Sequence, residues 1–362
     1  MGIKNLYVDL SVFGPWQTGV ALYSLEMAKF LANTFRCRII VPQYHAHHFG
    51  ESAILCPPPI SFPGTGSWRH SGEVLKSIKS SESLLYCPHA FGTVLPINQI
   101  LTIHDLIPYK YPTRHFFNRF YFQFMLPKFI KRDYVSLICT VSRTSKEEIC
   151  TKFNLAKNKV EVVPNGIDVN RWKSQSSYAE GEKYLLVVSA NRIYKNTIEI
   201  LENHDLWAKK YHLKIVSSKS RYGKQIRKAV LEMGLSGRVQ FLESISDEEL
   251  RALFQGAEAS IYPSLIEGFG RPPLESMAAG RPVIISDIPV HKEMFGSAGI
   301  FISPGKRESW ESAFKNLNDT EYVDAKISAG LQVAERYSLA NGQAALKNVL
   351  LNSMPELGEL LK

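Results

Sequence analysis

What most limits the fold of this chain is an alternation that occurs twice. Short apolar runs alternate with stretches whose apolar residues recur at helical spacing. In the first half, strands are expected at Leu6–Val12, Cys37–Val41, Leu84–Cys87, Ile100–Ile103, Leu137–Val141 and Val160–Val163, with a helix over Val20–Asn33. A polar stretch, Lys173–Glu182, breaks the rhythm. It restarts with strands expected at Tyr184–Ser189, Lys214–Ser217, Val239–Phe241, Ala259–Tyr262 and Pro282–Ile285. Strands separated by helices pair in parallel and are covered on both faces. The expected fold class is therefore α/β, with two doubly wound, Rossmann-like domains. The 362 residues exceed what one ordinary core organises. The expected division is 1–172 as an N-terminal domain, 173–182 as a linker and 183–340 as a C-terminal domain. The helix-rich end, without strand signal after residue 310, leaves 341–362 as a helical segment packing back on the first domain. Ligands of such sheets bind outside the carboxyl ends of the strands, so a cleft between the domains is the expected site.

Composition narrows the class. Hydrophobic residues make up 45% and charged residues 21%, the balance of a globular protein. A net charge of +9 favours anionic partners: phosphates, nucleic acid or an acidic membrane surface. The first residues, MGIKNLYVDLSVFG, read as a strand and not as a signal peptide. No 18-residue apolar stretch offers a membrane span. The five cysteines are scattered without a C-x-x-C pair, which fits reduced thiols in a cytoplasmic protein.

The chemistry concentrates in residues 263–289, PSLIEGFGRPPLESMAAGRPVIISDIP. An expected strand ends at Pro263, a loop carries Glu267, Gly268, Phe269 and Gly270, and Pro272 and Pro273 suit the first turn of a helix. Glycines let a backbone approach a phosphate, and a helix N-terminus offers unpaired N–H donors and a positive dipole end. Glu267 and Glu275 would repel an anion and are useful only for gripping hydroxyl groups. A diphosphate with hydroxyls on either side is a nucleotide-sugar. From the residues alone, a Gly-Pro turn feeding a helix explains the pattern equally well.

Three further segments stand out. The loop Gly14-Pro15-Trp16-Gln17-Thr18-Gly19 joins the first strand to the first helix, without matching the G-x-G-x-x-G dinucleotide fingerprint. Residues 110–134 mix aromatics with Lys110, Arg114, Arg119, Lys128, Lys131 and Arg132. They read either as a surface docking on an anionic membrane or lipid phosphate, or as a helix with a buried aromatic face and solvated cations. His45, His47 and His48 lack Cys or acidic partners at metal-binding spacing and read as a surface loop.

The segment from Glu267 to Glu275 closely resembles the E-x7-E signature of family 4 of the retaining glycosyltransferases, which adopt the GT-B fold. TIHDLIPYKYP (102–112), VSRTSKEEI (141–149), VVPNGIDVNRW (162–172), RIYKN (192–196) and the stretch Val239–Pro263 follow the family's order and spacing. The resemblance implies that 1–172 is the acceptor-binding domain, that 183–340 is the nucleotide-sugar-binding domain, and that Glu267 contacts the donor sugar's hydroxyls. Gly268, Phe269 and Gly270 would present N–H groups to sugar and distal phosphate, with Leu274 lining the donor site. Glu275 would bind the ribose, and Lys195 would neutralise the departing diphosphate. The backbone of Ile245 would meet the nucleobase. Arg192 would share the phosphate, although many members carry their arginine two positions earlier, at what is here Ala190. Arg271 stands where leucine is common. His104 would lie by the donor sugar and serve transfer. Asp105 is expected to cap the next turn, and Gly14, Thr18 and Gly19 to face acceptor and donor phosphates.

The chain contains no D-x-D to hold a divalent ion on a diphosphate, so no metal and no other cofactor is expected. The resemblance implies retention, by front-side displacement in which the leaving phosphate takes the acceptor's proton. No carboxylate pair suits a glycoside hydrolase. HDLIP resembles bacterial mannosyltransferases of polysaccharide assembly, which makes GDP-mannose the first choice of donor and other UDP-, GDP- or dTDP-hexoses the alternatives. The acceptor expected by family analogy is an O-antigen, capsule or exopolysaccharide chain on a polyprenyl carrier. A nucleotide-sugar epimerase and a non-catalytic sugar-nucleotide-binding protein are the competing classes. Nucleic acid is not an expected partner, for want of an RNA-binding aromatic signature or a basic tail. The location expected is cytoplasmic, with one reading of 110–134 placing it against the inner membrane face.

Overall fold

The computed structural model describes residues 2–14, 18–62, 66–68, 72–111, 119–173 and 182–362. The chain divides into two compact units, Met1–Gly166 with Ala340–Lys362, and Ile167–Leu339.

The first unit is built on seven parallel strands: β1 (Asn5–Asp9), β2 (Cys37–Pro42), β3 (Ala53–Cys56), β6 (Ser83–Cys87), β7 (Asn98–Thr102), β8 (Val135–Thr140) and β9 (Val160–Val162). Their order is β3-β2-β1-β6-β7-β8-β9. A short antiparallel pair, β4 (Ile60–Phe62) and β5 (Gly66–Trp68), stands apart from this sheet. The central strands are apolar on both faces because helices cover both; Leu84, Leu85, Ile100 and Leu101 are fully buried. Helix Gly19–Thr34 starts where the Thr18 hydroxyl accepts from the Ala21 N–H at 3.2 Å, and it buries Tyr23, Met27 and Leu31. Helix Arg143–Phe153 is capped by Ser142 and stops at Asn154, whose φ of 50° ends it in the left-handed region.

The second unit carries six parallel strands: β10 (Tyr184–Val188), β11 (His212–Val216), β12 (Val239–Leu242), β13 (Ala259–Tyr262), β14 (Val283–Ser286) and β15 (Gly299–Ile302). Their order is β12-β11-β10-β13-β14-β15. Two fully buried tryptophans anchor one face, each with its indole N–H satisfied: Trp207 on the Ile200 carbonyl and Trp310 on the Glu199 carboxylate, both at 2.9 Å.

The eleven strands expected from the sequence are present, each within three residues of its expected ends. β3, β4, β5 and β15 were not expected. The crossing between units also differs from the expected boundary after residue 172. Ile167 exchanges backbone bonds with Tyr337 and Leu339, and the Trp172 ring packs edge-on against Phe254 at 5.3 Å, so 167–172 belong to the second unit. Of the expected linker, residues 174–181 lie outside the described residues. Helix Leu339–Ser353 leads back into the first unit, where Leu346 and Leu350 are fully buried. Gly342 makes that approach possible: a Cβ there would lie 2.8 Å from the Pro164 carbonyl.

In each sheet the strand order reverses once, between β1 and β6 and between β10 and β13. Such switch points open a crevice at the carboxyl ends of the strands, because consecutive loops leave in opposite directions.

Candidate active site

Lys195 follows β10 and Glu267 follows β13, so the second unit's switch point brings them together across 72 residues of sequence. The Lys195 ammonium donates to Glu267 Oε1 at 2.6 Å, with the two side chains only 14% and 10% exposed. Ser264 donates to the same oxygen at 2.7 Å. Burial alone would raise the Glu267 carboxyl, but Lys195, the nearby His291 and these hydrogen bonds together hold it below its ordinary value. Glu267 is thus an ionised carboxylate with Oε1 doubly bonded. Among the described residues, no protein hydrogen bond reaches its Oε2.

The loop and helix after Glu267 are fixed by backbone chemistry. Gly270 has φ of +97°, and a Cβ there would meet the Phe295 ring at 2.9 Å, so only glycine makes this turn without strain. Helix Arg271–Ala278 starts at once, with prolines in its first turn. Pro272 and Pro273 have no N–H, and that of Leu274 turns back to the Gly270 carbonyl at 3.3 Å. The first turn of the helix therefore has few backbone N–H groups to add to its dipole. Phe269 is buried edge-on against Tyr337 at 5.5 Å. Glu275 accepts from Arg271 Nε at 3.1 Å, with both side chains nearly buried. Leu274 is fully buried beneath the helix.

Ile245 follows β12, held between Ser244 in the left-handed region (φ 53°) and Ser246, whose capping box with Glu249 starts helix Asp247–Gly256. At the carboxyl ends of β11 and β12, a cavity of about 340 Å³ is bounded by Ser217, Ser218, Lys219, Ser220, Lys224, Arg227 and Glu243. Arg192 is exposed, at the start of the turn that carries Lys195, whereas Ala190 is fully buried in the core.

In the first unit, His104 follows β7. Its Nε2 stands 3.3 Å from the Pro88 carbonyl, and its ring meets Tyr23 edge-on at 4.8 Å. Burial pushes its pKa down to about 4, so the imidazole is neutral at pH 7, with Nε2–H donating to Pro88. Asp105 caps the next turn, accepting from the Ile107 N–H at 2.8 Å. The Gly14 carbonyl faces His45 Nε2 at 3.2 Å, and Gly19 begins its helix with open space on the Cβ side. Pro15, Trp16 and Gln17 of the same loop lie outside the described residues. His47 and His48 have their rings 3.9 Å apart. Among the described residues, no three His, Cys, Asp or Glu side chains converge as metal ligands.

With this geometry in hand, comparison with known proteins is decisive. Residues 17–171 match the family described as Glycosyltransferase Family 4, and residues 168–328 match Glycosyl transferases group 1. The chain is 31% identical over 361 residues to the O-antigen chain mannosyltransferase RfbU of Salmonella typhimurium, covering 96% of this chain and 100% of that protein. The chain belongs to glycosyltransferase family 4. Another family 4 relative is the O-antigen chain mannosyltransferase B of Escherichia coli, 27% identical over 364 residues, with 90% of this chain and 93% of that protein covered. In fold, this family 4 glycosyltransferase resembles Anabaena HepE, solved in complex with UDP-glucose. The TM-score is 0.76 at 14% identity, covering 96% and 99% of the two chains. The two doubly wound sheets are those of the GT-B fold.

The sequence did not point to the polar chain behind Glu267. Ser286, the last residue of β14, donates to the Ser264 carbonyl, and His291 Nδ1 lies 2.9 Å from the Ser286 carbonyl. His291 is fully buried, and burial keeps its pKa low, against the pull of Glu267. Its Nε2 has no hydrogen-bond partner among the described residues. β14 neighbours β13, so a third loop at the carboxyl end of the sheet supports the carboxylate. A single histidine on an apolar helix has no spacing signature; only sheet order places it.

Proposed function

We propose that this glycosyltransferase moves a hexose, with mannose from GDP-mannose as first choice, onto a hydroxyl of a lipid-linked oligosaccharide, with retention and without a metal ion. The observation that carries the reading is the half-satisfied Glu267 carboxylate. One oxygen is saturated by Lys195 and Ser264, and the other accepts nothing from the described protein. A buried, ionised carboxylate with one open oxygen is suited to accept a sugar hydroxyl. The ammonium of Lys195 spends one of three donors on Glu267 and keeps the others for a phosphate, stabilising the diphosphate as it leaves. Glu275 would take the ribose hydroxyls. The Phe269 and Gly270 N–H groups would take the distal phosphate, and the backbone of Ile245 would meet the base.

The ion pair with Lys195 lowers the basicity of Glu267 and so its nucleophilicity, which favours front-side displacement with the leaving phosphate taking the acceptor's proton. His104, a neutral imidazole, would contribute Nδ1 as an acceptor to a sugar hydroxyl. The lack of a D-x-D supports metal independence. GDP-mannose draws support from relatives named as mannosyltransferases, one of them GDP-mannose:cellobiosyl-diphosphopolyprenol alpha-mannosyltransferase of Xanthomonas campestris, 33% identical over 138 residues. That name also supports a polyprenyl-linked acceptor.

Thermal-shift measurements with GDP-, UDP- and dTDP-sugars test the donor, since a bound ligand raises stability by mass action. GDP-mannose should stabilise most; stabilisation by none would sink the donor site. Transfer abolished by EDTA and restored by manganese would overturn metal independence.

A further inference from the structure

Residues 120–134, from the basic, aromatic stretch, have no part in the chemistry above, yet they bound a sizeable cavity. This lies within the first unit and measures about 670 Å³. Among the described residues its walls include Leu75, Phe91, Tyr121, Phe124, Met125 and Phe129, its only charged members are Lys128 and Arg132, and no acid lines it. The apolar surface is open: Val94, Phe124, Phe120 and Met125 are 75%, 58%, 43% and 40% exposed. Exposed apolar patches of this kind mark binding sites. Lys128 and Arg132 stand four residues apart, and neither makes an ion pair with a described residue. Two unpaired cations on one rim repel each other until an anion joins them.

We propose that this cavity binds the hydrocarbon chain of a prenyl phosphate, with Lys128 and Arg132 on the phosphate. The proposal rests on the lipid-linked acceptor of the preceding section. Charge complementarity selects the occupant: an apolar interior whose charged groups, among the described residues, are all cations matches a single molecule that is a long hydrocarbon with an anionic head. An uncharged lipid leaves the cations unanswered, and a free phosphate leaves the cavity empty. Size agrees. At about 30 Å³ for each carbon-sized group, the volume takes about 20 carbons, or about four isoprene units, within the range of about 300–1,000 Å³ usual for ligand pockets.

The test is equilibrium binding of geranylgeranyl phosphate to the full chain by titration calorimetry, below its aggregation threshold. Geranylgeraniol, inorganic phosphate and phosphatidylglycerol vesicles are the comparators. Geranylgeranyl phosphate should bind at least tenfold more tightly than geranylgeraniol, with no detectable binding of inorganic phosphate. K128E/R132E should weaken it tenfold or more. Phe124→Ser, at an exposed position, should weaken both prenyl ligands while leaving the melting temperature unchanged. No binding of geranylgeranyl phosphate, or equal binding by both variants, would overturn the proposal. So would capture by vesicles without prenyl-phosphate binding, which would make the surface a membrane dock. Prenyl-phosphate binding in a protein that no nucleotide-sugar stabilises would sink the donor reading and leave this one standing.

Discussion

At the scale of single residues, the buried Lys195–Glu267 pair makes the sharpest demand. Removing one partner of such a pair strands the other charge, at a cost of about 3–5 kcal/mol. Lys195→Met should therefore lower the melting temperature, and Lys195→Met with Glu267→Gln should regain part of the loss. Strict additivity in calorimetry would show the two groups uncoupled. His104 makes a different demand. Its folded pKa of about 4 lies below the 6.5 of a free histidine, so between those values the unfolded chain binds more protons. Its contribution to stability is full above about pH 6.5 and is lost as pH falls toward 4. At about 1.4 kcal/mol per pKa unit the limit is about 3 kcal/mol, and the ring's partial exposure brings the expectation to about 1–2 kcal/mol. His291 is shifted in the same direction, so the wild-type slope has two sources. His104→Gln should shrink, without abolishing, the difference between urea midpoints at pH 7 and pH 4.5. An unchanged difference would remove His104 from the titration.

At the scale of elements, two glycines of one helix separate strain from function. Gly270 precedes helix Arg271–Ala278 at φ +97°, against the Phe295 ring; Gly280 follows it at φ +71° with open space on its Cβ side. A left-handed alanine costs about 1–2 kcal/mol at either site. Gly270→Ala adds a clash and moves the loop that would hold the phosphate, so both stability and donor affinity should fall. Gly280→Ala should lose stability alone, by about 1 kcal/mol. Equal effects on nucleotide-sugar binding would dissociate that loop from the donor. The same elements show what the sequence carries. Strands of the sheet interiors, such as Leu84–Cys87 and Ala259–Tyr262, are legible because burial on both faces makes them continuous apolar runs. β3 escapes notice as an edge strand with Leu55 58% exposed, and β15 because its four residues begin on a glycine after a Gly-Ser-Ala turn. Within residues 267–275, the E-x7-E spacing makes Glu267 and Glu275 legible. The Ser264–Ser286–His291 chain behind them arises from adjacency of β13 and β14, which no local pattern encodes.

At the scale of the whole molecule, the first unit is completed by the end of the chain. Leu346, Leu350, Leu357 and Leu360 are buried there. The Arg36 N–H donates to the Leu360 carbonyl at 2.7 Å and the Lys362 N–H to the Thr34 carbonyl at 3.0 Å, pinning the last residues beside the end of helix Gly19–Thr34. Burying a leucine is worth about 1.5–3 kcal/mol, so four contribute roughly 6–12 kcal/mol as an upper bound. A whole domain has a margin of only about 5–15 kcal/mol. A chain ending at Leu339 should therefore lose the first unit's calorimetric transition. The second unit, Ile167–Leu339, is whole in that chain and should still melt cooperatively and still be stabilised by the preferred nucleotide-sugar. Two intact transitions would show that the returning helix decorates the first unit instead of completing its core. Loss of both would show that the second unit depends on the first to fold. The expected asymmetry, one transition lost and nucleotide binding kept, follows from a discontinuous domain whose residues 340–362 come after the second unit in the sequence. Such a first unit cannot reach its final stability until those residues have joined it.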